Sequence, residues 1–78
     1  MKRIFLKLNT LEDVKELVYI ASCFDCKTYI QRSEYIVPAT SELCILGLDL
    51  SKILCFISER DIEDIFINKL KKFSVEGD

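Results

Sequence analysis

Apolar and polar side chains alternate in four segments of the chain, and apolar side chains recur at helical spacing in three others. Alternation sends successive side chains to opposite faces of a strand, whereas spacings of three and four residues gather them on one side of a helix. The alternating segments, residues 2–8, 25–31, 35–39 and 52–58, are predicted strands. The order strand, helix, strand, strand, short helix, strand, helix predicts an α+β fold.

Each predicted helix begins at a hydroxyl residue that can cap it. Thr10 is followed three residues later by Asp13, as in a capping box, and the helix is expected to end near Phe24. Ser41 opens a helix of one or two turns that Gly47 closes. The third helix is predicted to begin just after Ser58, and its buried face is predicted to carry Ile62, Ile65, Phe66, Leu70 and Phe73.

The strands are expected to form one antiparallel sheet. Residues 32–34 form a short turn between the second and third strands, which therefore pair most simply as a hairpin. We predict an open-faced sandwich in the order β-α-β-β-α-β-α, with a four-stranded antiparallel sheet and three helices on one face. It forms a single domain, residues 1–78, with the last few residues frayed. The side chains predicted to face the helices are Ile4, Leu6, Leu8, Thr28, Ile30, Val37, Leu54 and Phe56.

The opposite face of this sheet is predicted to be unusually apolar. A sheet covered by helices on one side normally carries polar residues on the other. Here the outer face receives Phe5, Tyr29, Ile36, Ile53, Cys55 and Ile57. A one-residue slip in register would exchange the two faces, but residues 53–57 are hydrophobic in either register. An apolar patch of this kind is typical of a partner or self-association surface.

Composition and charge narrow the function classes. The 78 residues have a formal net charge of −2 and scattered lysines and arginines, so a nucleic-acid partner is not expected. No apolar run reaches the roughly 18 residues of a membrane span, and the N-terminus turns polar again by Lys7, too early for a signal peptide. We therefore expect a cytoplasmic protein without a membrane partner.

The chain contains no histidine, the side chain on which acid and base catalysis at neutral pH most often depends. We therefore expect no enzymatic activity and no cofactor. The four cysteines include Cys23 and Cys26 in a C-x-x-C, which is typical of half a zinc site or of a redox pair. No second C-x-x-C is present, and Cys44 and Cys55 are predicted in apolar surroundings. The simplest interpretation is four reduced cysteines and no metal.

The element order and several local sequences resemble HPr, the phosphocarrier protein of the bacterial sugar phosphotransferase system. Ala-Ser-Cys-Phe-Asp at 21–25 follows the first helix, and Ala-Thr-Ser-Glu-Leu at 39–43 leads into Leu-Gly-Leu-Asp-Leu at 46–50. The resemblance covers nearly the whole chain and runs without a gap from residue 22 to residue 50. It implies the open-faced sandwich fold and a small protein that works through protein partners.

In that family the phosphoryl group is carried by a histidine of a His-Ala-Arg-Pro type segment at the start of the first helix. Residues 9–14 occupy that place here, the loop is shorter, and Thr10 and Glu12 stand about where the histidine and arginine would be. A threonine could form only an ordinary phosphate ester, and Glu12 with Asp13 would repel a phosphate dianion. We therefore interpret the chain as a divergent member without phosphocarrier activity.

The resemblance also implies a second site at Ser41. Gram-positive relatives carry there a regulatory serine that a dedicated kinase phosphorylates. Ser41 together with Glu42, Leu43 and Leu46 would then be recognised by a kinase or a transcription regulator of the phosphotransferase system. The simpler interpretation is that Ser41 only caps its helix, and the neighbouring carboxylate of Glu42 would oppose a phosphate.

Three hypotheses follow from the sequence. In the first, the chain is an HPr-like regulatory or binding domain that lacks carrier activity. In the second, it is a structural or assembly domain that forms a homodimer through the outer face of its sheet. In the third, it accepts a phosphoryl group on a cysteine or a carboxylate.

Overall fold

The computed structural model describes residues 1–75, which form an α+β open-faced sandwich, as predicted. The strands are β1 (Arg3–Leu6), β2 (Thr28–Arg32), β3 (Tyr35–Pro38) and β4 (Leu54–Ser58). The helices are α1 (Leu11–Ser22), α2 (Glu42–Leu46) and α3 (Asp64–Leu70), followed by a 3₁₀ turn, Lys71–Phe73. The described strands pair in the order β1-β4-β2-β3, and every pairing is antiparallel. The predicted element order and fold class are confirmed.

One hydrophobic core lies between the sheet and the helices. Seven of the eight side chains predicted to face the helices are buried, and Val37 is half-buried against the core. From the helical layer, α1 contributes Val14 and Leu17, α2 contributes Ile45, and α3 contributes Leu70. The predicted register of the sheet is therefore correct.

The start and the orientation of α3 differ from the prediction. The helix begins at Asp64, six residues after Ser58, because Ser58 Oγ accepts a hydrogen bond from the Arg60 amide at 3.2 Å instead of capping a helix. The Ile62 amide donates to the Met1 carbonyl at 2.8 Å, so this stretch first contacts the N-terminus before the helix begins. Ile65, which was predicted to be buried, is 57% exposed, whereas Phe66 and Leu70 of the same helix pack against the core.

The second strand also begins later than predicted, at Thr28 rather than at Asp25. The Arg60 guanidinium donates to the Asp25 carbonyl at 2.7 Å and pairs with its carboxylate at 2.9 Å. The Glu59 amide in turn donates to the Lys27 carbonyl at 3.1 Å. Residues 25–27 are therefore held by contacts with the loop after β4 and do not form part of the second strand.

The described C-terminal residues complete the edge of the sheet at β1. The Lys7 amide donates to the Phe73 carbonyl at 2.9 Å, and the Val75 amide donates to the Phe5 carbonyl at 3.0 Å. Leu6 forms an isolated antiparallel bridge with Ser74, so this segment covers the outer edge at the end of β1. The predicted fraying concerns residues 76–78, which lie outside the described residues. Within residues 1–75, none of the helices has the length and apolar character needed to cross a membrane.

Candidate partner-binding surfaces

The start of α1 is closed by a complete capping box. Thr10 Oγ1 accepts from the Asp13 amide at 3.1 Å, and Asp13 Oδ2 accepts from the amides of Asn9 and Thr10 at 2.9 and 3.2 Å. Three amides around this helix end, those of Asn9, Thr10 and Asp13, therefore bind side chains of the chain itself. Glu12 adds a second acid in the same turn. The chain has no histidine to place here, and a nearby cation is Lys7, whose Nζ donates to Asn9 Oδ1 at 3.3 Å.

The predicted cap of α2 is present in the structure. Ser41 is half-buried, and its Oγ accepts a hydrogen bond from the Cys44 amide at 3.3 Å. Gly47 ends the helix, and its amide donates to the carbonyls of Leu43 and Cys44 at 3.2 Å each. Among residues 1–75, the Ser41 hydroxyl forms this bond only as an acceptor, so it can still donate its own proton.

The outer side of α2 is apolar and exposed. Leu43 is 83% exposed and Leu46 is 41% exposed, while Ile45 points into the core and anchors the helix. Glu42 is half-buried beside Ser41. Leu43 and Leu46 are three residues apart in the helix, so these two candidate side chains lie next to each other on its surface. Cys44 is exposed as well, so its predicted apolar surroundings are wrong.

The outer face of the sheet carries two rows of side chains that run across the strands. In one row Phe5, Cys55, Gln31 and Ile36 are successive register partners, and in the other Arg3, Ile57, Tyr29 and Pro38 are. Phe5, Ile36 and Ile53 are 59%, 57% and 51% exposed. The helices pack on the opposite side of the sheet, so this face and the α2 surface belong to opposite layers of the molecule.

Three members of the predicted outer patch contribute less than expected. Cys55 lies on this face but is only 7% exposed, because its register partners Phe5 and Gln31 flank it on both sides in the middle of the sheet. Tyr29 and Ile57 are half-buried for the same reason. Ile53 precedes β4 rather than belonging to it. The face also carries two polar side chains that were not included in the predicted patch: Arg3, which alternation places on the same side as Phe5, and Gln31, which alternation places on the same side as Tyr29.

The four cysteines do not converge. Cys23 and Cys44 are exposed, Cys26 is half-buried and Cys55 is buried, and all four thiols are free. Within residues 1–75, no group of three cysteine or acidic side chains lies close enough together to hold a metal ion. The thiols therefore have to be considered one by one.

Cys26 has a polar environment that the sequence pattern did not reveal. Its Sγ lies 3.3 Å from Ser58 Oγ, and the hydrogen bond to Ser58 holds the pKa of the Cys26 thiol below its usual range. Partial burial opposes this effect, while the backbone and side chain of Arg60 add to it. The contact joins residues 32 positions apart, and only the fold brings them together.

Comparison with known proteins yields a structural likeness but no family match. No protein-family model matches the chain, and no curated protein matches it. Among solved structures, it is similar to the crystal structure of HPr-C-His from Thermoanaerobacter tengcongensis, with 25% sequence identity and a TM-score of 0.72. The match covers 92% of this chain and 89% of that chain. The chain therefore has the fold of HPr over nearly its whole length.

Proposed function

We propose that this chain is an HPr-like regulatory or binding domain of the sugar phosphotransferase system that does not carry phosphoryl groups on histidine. The observation that carries the proposal is the exposed apolar surface formed by Leu43 and Leu46 directly after the half-buried Ser41. A protein partner could bury these leucines and contact the serine hydroxyl in the same interface. A cytoplasmic location is part of this proposal.

The start of α1 supports the part of the proposal that concerns carrier chemistry. Asp13 occupies the amides of Asn9 and Thr10, and the chain contains no histidine that could form a phosphohistidine. An incoming phosphate would have to displace a carboxylate that is covalently part of the helix. We therefore expect no acid-labile phosphate after incubation with Enzyme I of the phosphotransferase system and phosphoenolpyruvate. Acid-labile or thiol-linked phosphate would support a phosphoryl acceptor instead.

Phosphorylation of Ser41 tests the regulatory part directly. The protein is incubated with ATP and the serine-directed HPr kinase of the same organism, and the intact mass is measured. We expect the addition of one phosphoryl group in the wild type and none in Ser41→Ala. Ser22→Ala is the matched control, because Ser22 is exposed and its hydroxyl only donates to the Tyr19 carbonyl within the same helix.

The partner surface has its own test, which does not depend on phosphorylation. Leu43→Lys should weaken binding to the kinase, measured by titration calorimetry, by tenfold or more on the scale of an interface hot spot, roughly 2 kcal/mol. Ile65→Lys is the matched control, because Ile65 is also an exposed apolar residue of a helix. Equal affinities for both variants and the wild type would remove α2 from the interface.

A second candidate function is self-association through the outer face of the sheet. It is favoured by the exposure of Phe5, Ile36 and Ile53 on a face that the described helices leave uncovered. An isologous dimer would place this patch against its own copy across a two-fold axis. In this hypothesis the chain is an assembly domain.

Light scattering over a concentration series distinguishes the two candidates. Ile36→Lys and Ile65→Lys are closely matched, since both isoleucines are 57% exposed but lie on opposite layers. A dimer that is lost in Ile36→Lys and kept in Ile65→Lys would support assembly through the sheet. A wild-type monomer at every concentration would contradict it and leave the α2 surface as the candidate.

A further inference from the structure

A group of polar side chains surrounds the Cys26 sulfur where the loop after α1 meets the end of β4. Ser58 Oγ accepts a hydrogen bond from the Arg60 amide at 3.2 Å and lies 3.3 Å from Cys26 Sγ. Either atom can be the donor in this contact, but a thiolate sulfur carries no proton, so in the thiolate form of Cys26 the Ser58 hydroxyl is the donor. A hydrogen bond donated to sulfur favours the thiolate, which is the nucleophilic form of cysteine.

The thiol is also accessible. Cys26 is half-buried and borders two surface depressions, one lined by Ala21, Lys27 and Pro38 and the other by Arg60 and Phe66. Cys55 is buried, and Cys23 and Cys44, although exposed, have no hydrogen bond to sulfur among the described residues. Cys26 thus combines access from solvent with a donor to its sulfur.

A second observation at the same place points to an incoming group. Thr28 lines the first depression together with Cys26, and it is the register partner of Ser58, so its side chain lies on the same face of the sheet. Thr28 is 4% exposed, and its Oγ1 has no hydrogen-bond partner within residues 1–75. A buried hydroxyl without a partner is unfavourable, and a polar group attached to the sulfur of Cys26 could supply one.

Charges around the thiol are mixed. Arg60 is paired with Asp25, Lys27 borders the first depression, and Asp61 and Glu63 border the second. Cationic groups therefore stand on both sides of the sulfur, while the acids lie with Arg60 on the second side. A peptide-like thiol with carboxylate and amide groups is a suitable ligand for the first depression, where the charged neighbour is a lysine.

From this arrangement we infer that Cys26 is a modification site that forms a mixed disulfide with low-molecular-weight peptide disulfides of the glutathione type. The Cys26 thiolate attacks one sulfur of the disulfide and forms a new S–S bond. The second half leaves as a thiolate and takes up a proton from water, so the small disulfide is reduced as Cys26 is oxidised. Ser58 is a positioning residue that orients and stabilises the thiolate.

The test is a time course with oxidised glutathione at neutral pH, followed by intact mass and by peptide mapping of the modified cysteine. We expect Cys26 to be modified faster than Cys23 and Cys44, although both are more exposed. Ser58→Ala should slow modification of Cys26 about threefold. The thiolate loses the hydrogen bond that stabilises it, so a smaller fraction of Cys26 is ionised, but each thiolate that does form is more nucleophilic and this offsets part of the loss. The same variant should also move the pH midpoint of alkylation by iodoacetamide upward.

Thr28→Val tests the receiving side of the site separately. This variant keeps the shape of the side chain and removes the hydroxyl that has no partner. We expect an unchanged rate of alkylation at Cys26. The equilibrium constant for forming the mixed disulfide, measured against reduced glutathione, should fall about fivefold, which corresponds to the loss of one hydrogen bond. Modification of Cys23 or Cys44 at the rate of Cys26 or faster, or a Ser58→Ala profile identical to the wild type, would overturn the inference.

Discussion

Ile45 is the residue through which the α2 surface depends on the core. It is the single buried residue of α2, a helix that is fully described, and it is 0% exposed. A helix of five residues has no stability of its own, because nucleation costs more than so few hydrogen bonds return. The position of Ser41, Leu43 and Leu46 therefore rests on the packing of this one side chain.

The perturbation is Ile45→Val, which removes one buried methylene group and keeps the branched shape. Changes of this kind destabilise by about 1 kcal/mol, which is a substantial part of the roughly 4–12 kcal/mol expected for a domain of this size. The midpoint of thermal unfolding should fall by about 4–8 °C. Leu43→Ala, two residues earlier and 83% exposed, should change stability by less than about 0.5 kcal/mol.

The assay is urea unfolding followed by circular dichroism, together with amide hydrogen exchange of α2. Ile45→Val should lower the unfolding midpoint and increase exchange at residues 44–47, whereas Leu43→Ala should leave both unchanged. If Leu43→Ala destabilised the protein as much as Ile45→Val, the buried and exposed faces of α2 would be exchanged. The exposed leucines could then no longer serve as a partner surface, and the proposed function would lose its main support.

Two further predictions concern local polar contacts. Asp13→Ala should lower the free energy of unfolding, measured with urea, by about 1 kcal/mol, because two amides lose their acceptor. Glu12→Ala, in the same turn, should lower it only slightly. An equal decrease in both variants would show that the negative charge of the first turn matters and the capping box does not. The two hydrogen bonds from Ser51 hold the pKa of Asp49 below its usual range. They therefore stabilise the folded protein at pH values above the pKa that this aspartate has in the unfolded chain. This contribution is lost as the pH falls through the lower pKa that Asp49 has in the folded protein. Ser51→Ala should therefore raise the Asp49 pKa, measured by NMR titration, more than Lys52→Ala does, and the reverse order would show that charge dominates.

The alternation of apolar residues was sufficient to predict the sheet, since a period of two leaves only one register that buries Ile30, Leu54 and Phe56 together. The cap of α2 was predictable because Ser41 acts on an amide three residues away. The start of α3 was not, because Ser58-Glu59-Arg60-Asp61 satisfies the same local pattern while Ser58 is used by Arg60 and Cys26. Local signals fail where long-range contacts compete for the same atoms.

The environment of Cys26 was hidden for the same reason. Its partner is 32 residues away, and the C-x-x-C pattern, which Cys26 shares with Cys23, gives no sign of Ser58. The outer patch was predicted by face but not by exposure, because the burial of Cys55 depends on its neighbours in adjacent strands. Sequence alternation determines the side on which a residue lies, but not how much of it the neighbouring side chains cover.

The starts of α1 and α2 are both capped by a hydroxyl side chain, but they differ in charge and in the number of amides that the cap binds. At α1, the carboxylate of Asp13 and the hydroxyl of Thr10 together bind three backbone amides, so an anion arriving there meets a negative charge that already occupies two of these donors. At α2, the Ser41 hydroxyl alone accepts from one amide at 3.3 Å and retains its own proton. Covalent modification at Ser41 would replace this hydroxyl with a stronger acceptor for the same amide, against the repulsion of Glu42. The balance of these two effects decides whether a partner that binds Leu43 and Leu46 can also modify the serine beside them.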